Sequence, residues 1–178
     1  MANMNVDITN SQIFTGLGNF IKLVLPDVEV IVGQDNLVPM PQGPFISMTQ
    51  SATRRLATNQ DTYTDLCNTG PVQGSKNIIT ATEVRIAVNM YGDESPNWAA
   101  TMQSVFRDDF AYDNFPSNIK PLYMEDPVQM ALIDGEQQFE ERWKFDVVLM
   151  YIPIVAVAQQ FAQEADITIF EAVDIITD

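Results

Sequence analysis

Apolar side chains recur at helical spacing at Ile13, Leu17, Phe20, Ile21 and Val24, which predicts an amphipathic helix over residues 9–24 that ends before Pro26. Thr9, followed three residues later by Gln12, has the form of a capping box. Gly16 and Gly18 oppose the helix by about 1 kcal/mol each relative to Ala. The pattern then changes. Residues 28–32 are β-branched and apolar around Glu29, a strand that stops at Gly33. Residues 33–44 carry three prolines and two glycines among polar side chains, so they form neither a helix nor a central strand. Residues 45–49 fit a further strand. The Thr- and Asn-rich residues 50–75, with a turn signal at Asn68-Thr69-Gly70-Pro71, fit no element and predict a flexible excursion.

From residue 76 to 91 the alternation predicts one long strand, with Ile78, Thr80, Thr82, Val84, Ile86, Val88 and Met90 on its core face. Ser95-Pro96 reads as the N-cap and first residue of a second helix, whose stripe is Trp98, Met102, Val105, Phe106 and Phe110. A Met and aromatic stripe of this period is a core face. Asp108 and Asp109 fall near the end of that helix, where the helix dipole disfavours acids. Residues 119–124 form a short strand. Residues 128–133 lead into Asp134-Gly135, a dipeptide suited to a two-residue hairpin turn.

The returning strand, residues 139–151, sets Phe139, Glu141, Trp143, Phe145, Val147, Leu149 and Tyr151 against a charged face that lasts to Asp146. Beyond Asp146 both faces are apolar, which requires either a two-sided core or a neighbouring subunit. Pro153 marks an edge or bulge there, and residues 167–173 form a last short strand. The order of elements predicts an α+β fold, a mainly antiparallel sheet flanked by two helices, in a single domain over residues 1–178 with the excursion at residues 50–75.

Composition narrows the chemistry. The chain has 178 residues, 46% of them hydrophobic, enough for one core. With no His and one cysteine, Cys67, imidazole catalysis, zinc sites of the usual donors, disulfides within the chain and CxxC redox pairs are all excluded. Cys67 has no His to activate it and reads as a small buried residue. Among carboxylates, Asp126, Asp134, Glu136, Glu140 and Glu141 are numerous enough to hold metal for phosphoryl hydrolysis, but their spacing matches no ligand loop. No Gly-rich phosphate loop is present. We therefore expect no catalytic, cofactor-binding or metal site.

The first base is Lys22 and the longest uncharged apolar stretch, residues 147–158, is broken by Pro153. Neither a secretory signal nor a membrane span is expected.

The formal charge is -15, and it is uneven. Up to Asn89 there are seven acids and five bases; from Met90 onward there are seventeen acids and four bases. Such a surface repels phosphate, so neither sequence-specific binding of nucleic acid nor attachment to an anionic membrane is expected. An acidic DNA mimic that inhibits a nucleic-acid-binding protein is the alternative such a charge allows.

The segment V-E-V-I-V-G-Q-D-N-L-V-P-M-P-Q-G-P-F-I-S-M-T and the following Arg55-Leu56-Ala57-Thr58-Asn59 resemble the neck or tail-terminator proteins of tailed bacteriophages. Ser95 to Trp98 after a long strand, F-E-E-R-W-K-F-D-V-V-L-M-Y at residues 139–151 and the closing acidic strand agree with this likeness. The resemblance implies a tail-terminator-like subunit that closes into a ring, typically of six copies, between the head connector and the tail tube. Its partners would be its own copies, the tail tube protein and the head-tail connector or adaptor proteins, with DNA only as passing cargo and no membrane.

The resemblance also implies a place in the neck or tail of the virion, after assembly in the host cytoplasm. For the subunit interface we expect Gly33, Gln34, Asn36, Pro39, Pro41, Tyr151, Ile152 and Ile154. For an acidic channel or surface we expect Glu164, Asp166, Glu171 and Asp174.

Overall fold

A computed structural model describes residues 7–33, 41–64, 74–130, 132–133 and 139–159. Gln34, Asn36, Pro39, Cys67, the Asp134-Gly135 turn, the expected strand at 167–173 and the acids Glu164, Asp166, Glu171 and Asp174 lie outside these residues.

Helix α1, Asn10–Val24, begins where the local chemistry dictates. Thr9 and Gln12 form the reciprocal capping box, and Ile13, Leu17, Phe20 and Ile21 are buried on one stripe. The glycines that opposed the helix allow close packing: a Cβ at Gly16 would stand 3.4 Å from Pro116 Cγ, and one at Gly18 3.3 Å from Met48 Cε.

Strands β1 (Glu29–Val32), β2 (Phe45–Arg55), β5 (Thr82–Tyr91), β10 (Arg142–Tyr151) and β6 (Ile119–Met124) form the main sheet in that spatial order. β7 (Val128–Gln129) also pairs with β10. Only β1–β2 is parallel. One face of this sheet, carrying Ile46, Val84, Ile86, Val88, Met90, Phe145, Val147 and Leu149, is buried in the core with residues of α1 and of α2 (Ser95–Phe106). Phe20, Phe106 and Phe115 meet there with ring centroids 4.9–6.0 Å apart. The fold is α+β with a mostly antiparallel sheet, as expected.

Several boundaries differ from expectation. The second helix stops at Phe106, and a third, α3 (Asp109–Asn114), starts after it. Asp108 is the N-cap of α3 and accepts from the Phe110 amide at 3.0 Å, so this acid lies at the favourable end of a dipole. Phe110 consequently leaves the core stripe and is exposed. Glu94, not Ser95, is the N-cap of α2. β8 (Leu132–Ile133) and β9 (Phe139–Glu140) pair antiparallel, with Ile133 opposite Phe139.

The expected single strand over residues 76–91 is two strands in two sheets. β4 (Gly74–Ile79) belongs to a three-stranded sheet ordered β11 (Ile154–Gln159), β4, β3 (Gln60–Thr64). Alternation carries on through Thr80 and Ala81, but it cannot say which sheet a strand joins. The β5–β10 ladder steps evenly to Thr82↔Tyr151 and the β4–β11 ladder resumes at Ile79↔Ile154, so neither strand gains or loses a residue. Thr80 N–H donates to the Pro153 carbonyl at 3.3 Å across the interruption, and Leu56 N–H to the Ala81 carbonyl at 2.9 Å. On the other side Arg55↔Thr82 gives way to Gln60↔Ile79, so residues 56–59 stand opposite only Thr80 and Ala81. The three-stranded sheet is thus an extension of β2, β5 and β10. The joined ladder from Gly74 to Tyr91 covers about 60 Å of extended chain.

Candidate interface surfaces

In the extension, residues directly opposite share a face. One face carries Ile79, Ile154, Ala156 and Asn77 with Gln60 and Thr62; the other carries Ile78, Val155, Val157 and Lys76 with Asp61 and Tyr63. Ile78 and Ile79 are half-buried, Ile154 is 37% exposed, and every residue of β3 is exposed. The main sheet buries the same kinds of residue completely: Ile86 and Val88 on the adjoining β5 are 0% exposed. The difference is the helices, which lie on the body. An apolar sheet without a covering layer is the form of surface that a partner completes.

Of the expected interface residues, Tyr151, Ile152 and Ile154 come together at the junction of body and extension. Tyr151 ends β10, Ile152 is 44% exposed, and the Ile154 amide donates to Asp7 Oδ1 at 2.8 Å. Burial pushes the Tyr151 hydroxyl pKa up, so it stays neutral. Val148, on the face expected to need a second layer, is fully buried within the chain, set beside Arg85 and Tyr123 in the sheet. The two-sided apolar stretch therefore splits: Val147 to Leu149 are satisfied internally, and the residues after Tyr151 are the exposed ones.

Gly33 lies at the end of β1, on the other side of β5 from Tyr151. Its amide donates to the Met48 carbonyl at 2.7 Å, and a Cβ there would stand 2.4 Å from Thr49 Oγ1, so only glycine fits without displacing Thr49. Pro41 is half-buried. Among the described residues, Gly33 stands across β5 from Tyr151, Ile152 and Ile154 and is not brought together with them. Sequence reasoning missed Ile78 and Ile79, whose half-burial is set by the tertiary fold. It also missed the exposed Tyr112, Leu122, Tyr123, Val128 and Met130 around α3, β6 and β7.

Charges on the outer face of the main sheet are consumed locally: Arg54 pairs with Glu83 at 3.1 Å and Arg85 with Glu125. At the end of α2, Arg107 pairs with Asp126. The Glu125 charge holds the Arg85 guanidinium more firmly protonated than usual. On the extension, Lys76 pairs with Asp61 at 2.7 Å, and this hydrogen bond raises the lysine pKa. Of the carboxylates considered for metal, Asp126 is bonded to Arg107 and Gln103, and Glu141 accepts from Trp143 Nε1 at 3.3 Å. Among the described residues no three His, Cys, Asp or Glu side chains cluster as a metal site. Nor is any helix among them long and apolar enough to cross a membrane.

A family model described as phage neck terminator protein matches residues 11–173 of this chain. The chain belongs to that family. A phage neck terminator is a structural protein of the virion, and the family assignment implies contact with other head or tail proteins of the phage. No curated protein matches the chain. Fourteen chains of solved structures do; one of them is similar over 88% of this chain and 99% of its own, at 9% identity and a TM-score of 0.40.

Proposed function

We propose that this neck terminator acts as a ring, of six copies, that ends the tail tube, meets the connector or adaptor proteins of the head and leaves a bore for DNA. The observation that carries this reading is the extension, a sheet with apolar residues on both faces and, among the described residues, no helix over it. A cyclic assembly needs two different complementary surfaces on each subunit. The junction around Tyr151, Ile152 and Ile154 supplies one, and the Gly33–Pro41 side of the sheet supplies the other.

The acids Glu164, Asp166, Glu171 and Asp174 give the bore a charge to which DNA does not adhere. Assembly takes place in the host cytoplasm, and no membrane is involved. The excursion at residues 50–75, whose described part is β-structured, belongs to the same single domain.

Native mass measurement of the protein, alone and with tail tubes, tests the reading. We expect a species of about six copies, converted to monomers by Ile154→Asp while the melting temperature of the subunit holds. A wild-type protein that stays monomeric even on tubes overturns the ring. A monomer that instead binds a nucleic-acid-binding protein is the outcome expected of an acidic DNA mimic. Reversing Glu164, Asp166 and Asp174 to Lys should slow DNA ejection; an unchanged rate removes the acidic bore.

A further inference from the structure

β1 is an edge strand: it pairs with β2 on one side and, among the described residues, with nothing on the other. Such an edge is a template for a further strand. Beside it lies a groove of about 480 Å³ between α1 and the sheet, lined by Phe14, Gly18, Val30, Val32 and Met48 and by Lys22. Gly18 keeps the floor open, because a Cβ there would press on Met48.

Lys22 is singular among the described residues. Every other base has an ion pair, a hydrogen bond or a ring contact, whereas Lys22 has none, in a chain with 24 acids and 9 bases. The groove therefore fits an extended, mostly apolar segment that carries an acid.

We propose that residues 167–175 of a second copy add to the β1 edge as a strand, with Ile169 and Val173 in the groove and Glu171 on Lys22. The inference rests on the self-assembly proposed above and names the contact that makes it. In Ile167-Thr168-Ile169-Phe170-Glu171-Ala172-Val173-Asp174-Ile175, the alternate positions 167, 169, 171, 173 and 175 are β-branched except for a single acid at the centre. Asp174 then lies on the opposite face and remains available to the acidic surface, from which Glu171 is withdrawn.

Reach favours a neighbour's tail over the chain's own. β11 ends at Gln159 opposite Gly74, whereas Val32 of β1 is level with Met48 and Val88. Gly74 and Val88 are about 45 Å apart along the ladder, and about 35 Å if the ladder turns a right angle at its interruption. The eight steps from Gln159 to Ile167 span at most about 29 Å.

The test is a charge exchange on the full chain, read by native mass and sedimentation. Lys22→Glu alone and Glu171→Lys alone should each weaken self-association about tenfold, by setting like charges together in the groove. Mixing the two variants should restore it, because every contact in an alternating assembly then joins opposite charges. Restoration only when both changes are in one chain shows that the tail occupies its own groove and overturns the second-copy assignment. If neither variant alters an assembly that still forms, the strand addition is wrong and the ring reading survives. If the wild-type protein does not self-associate even on tail tubes, both fall.

Discussion

The body and the extension are built from the same strands, and their fates differ. On β5, Ile86 and Val88 are sealed under two helices; a few residues earlier on the same ladder, Ile78 and Ile79 are half open. The residue types and the register are alike, so neither explains the contrast. What differs is the second layer. The body contains its own covering and should fold by itself, while a three-stranded sheet with no described helix over it is marginal until something lies on it. In this protein apolar alternation specifies a strand, and a helix above it decides whether that strand is sealed into the core.

The contrast is most directly broken from the body side. Phe20 is the hub of the aromatic cluster, and Phe20→Ala should cost about 3–5 kcal/mol, unfolding body and extension in one transition of a urea titration. Thr9→Ala removes the helix cap and should cost about 1 kcal/mol, seen as a lower midpoint with an unchanged slope. Ile79→Ser, at the root of the extension, should cost less than about 1 kcal/mol in the isolated subunit, yet it should weaken self-association measured by sedimentation.

The smallest expected effect is a pH dependence arising in the extension and at its junction with the body. The folded pKa of Lys76 is raised above 10.5 by its hydrogen bond to Asp61, and that of Tyr151 above 10.0 by burial. Both contributions are fully present below those values and are lost as pH rises through the folded ones. The melting temperature should therefore begin to fall above about pH 10, and Lys76→Met should flatten part of that fall.

Legibility followed the range of the interactions. The cap at Thr9 and Gln12, the stripe of α1 and the core face of β5 are local patterns, and each stands where the sequence places it. The break at Phe106 was hidden because Phe110 continues the stripe four residues on, although the bend carries it out of the core. The break at Thr80 was hidden because a period of two does not encode a change of sheet. β3 was unreadable, since Gln60 to Thr64 hold their place by hydrogen bonds to β4 and not by burial. Of the expected interface residues, Ile152 and Ile154 were legible because they follow a strand apolar on both faces, at the edge or bulge marked by Pro153. Their neighbours Ile78 and Ile79 did not, because their openness depends on how far two helices reach.

The three interruptions, at residues 56–59, 80–81 and 152–153, lie side by side across the sheet. A crease of that kind bends without breaking the ladders on either side of it, and only a few backbone bonds, among them Thr80 to Pro153 and Leu56 to Ala81, cross it. In the proposed ring, this line would lie at the root of the surface each subunit presents to its neighbour. A closed circle of such subunits could widen or narrow by tilting every extension a little, with no strand sliding in register and no core repacked.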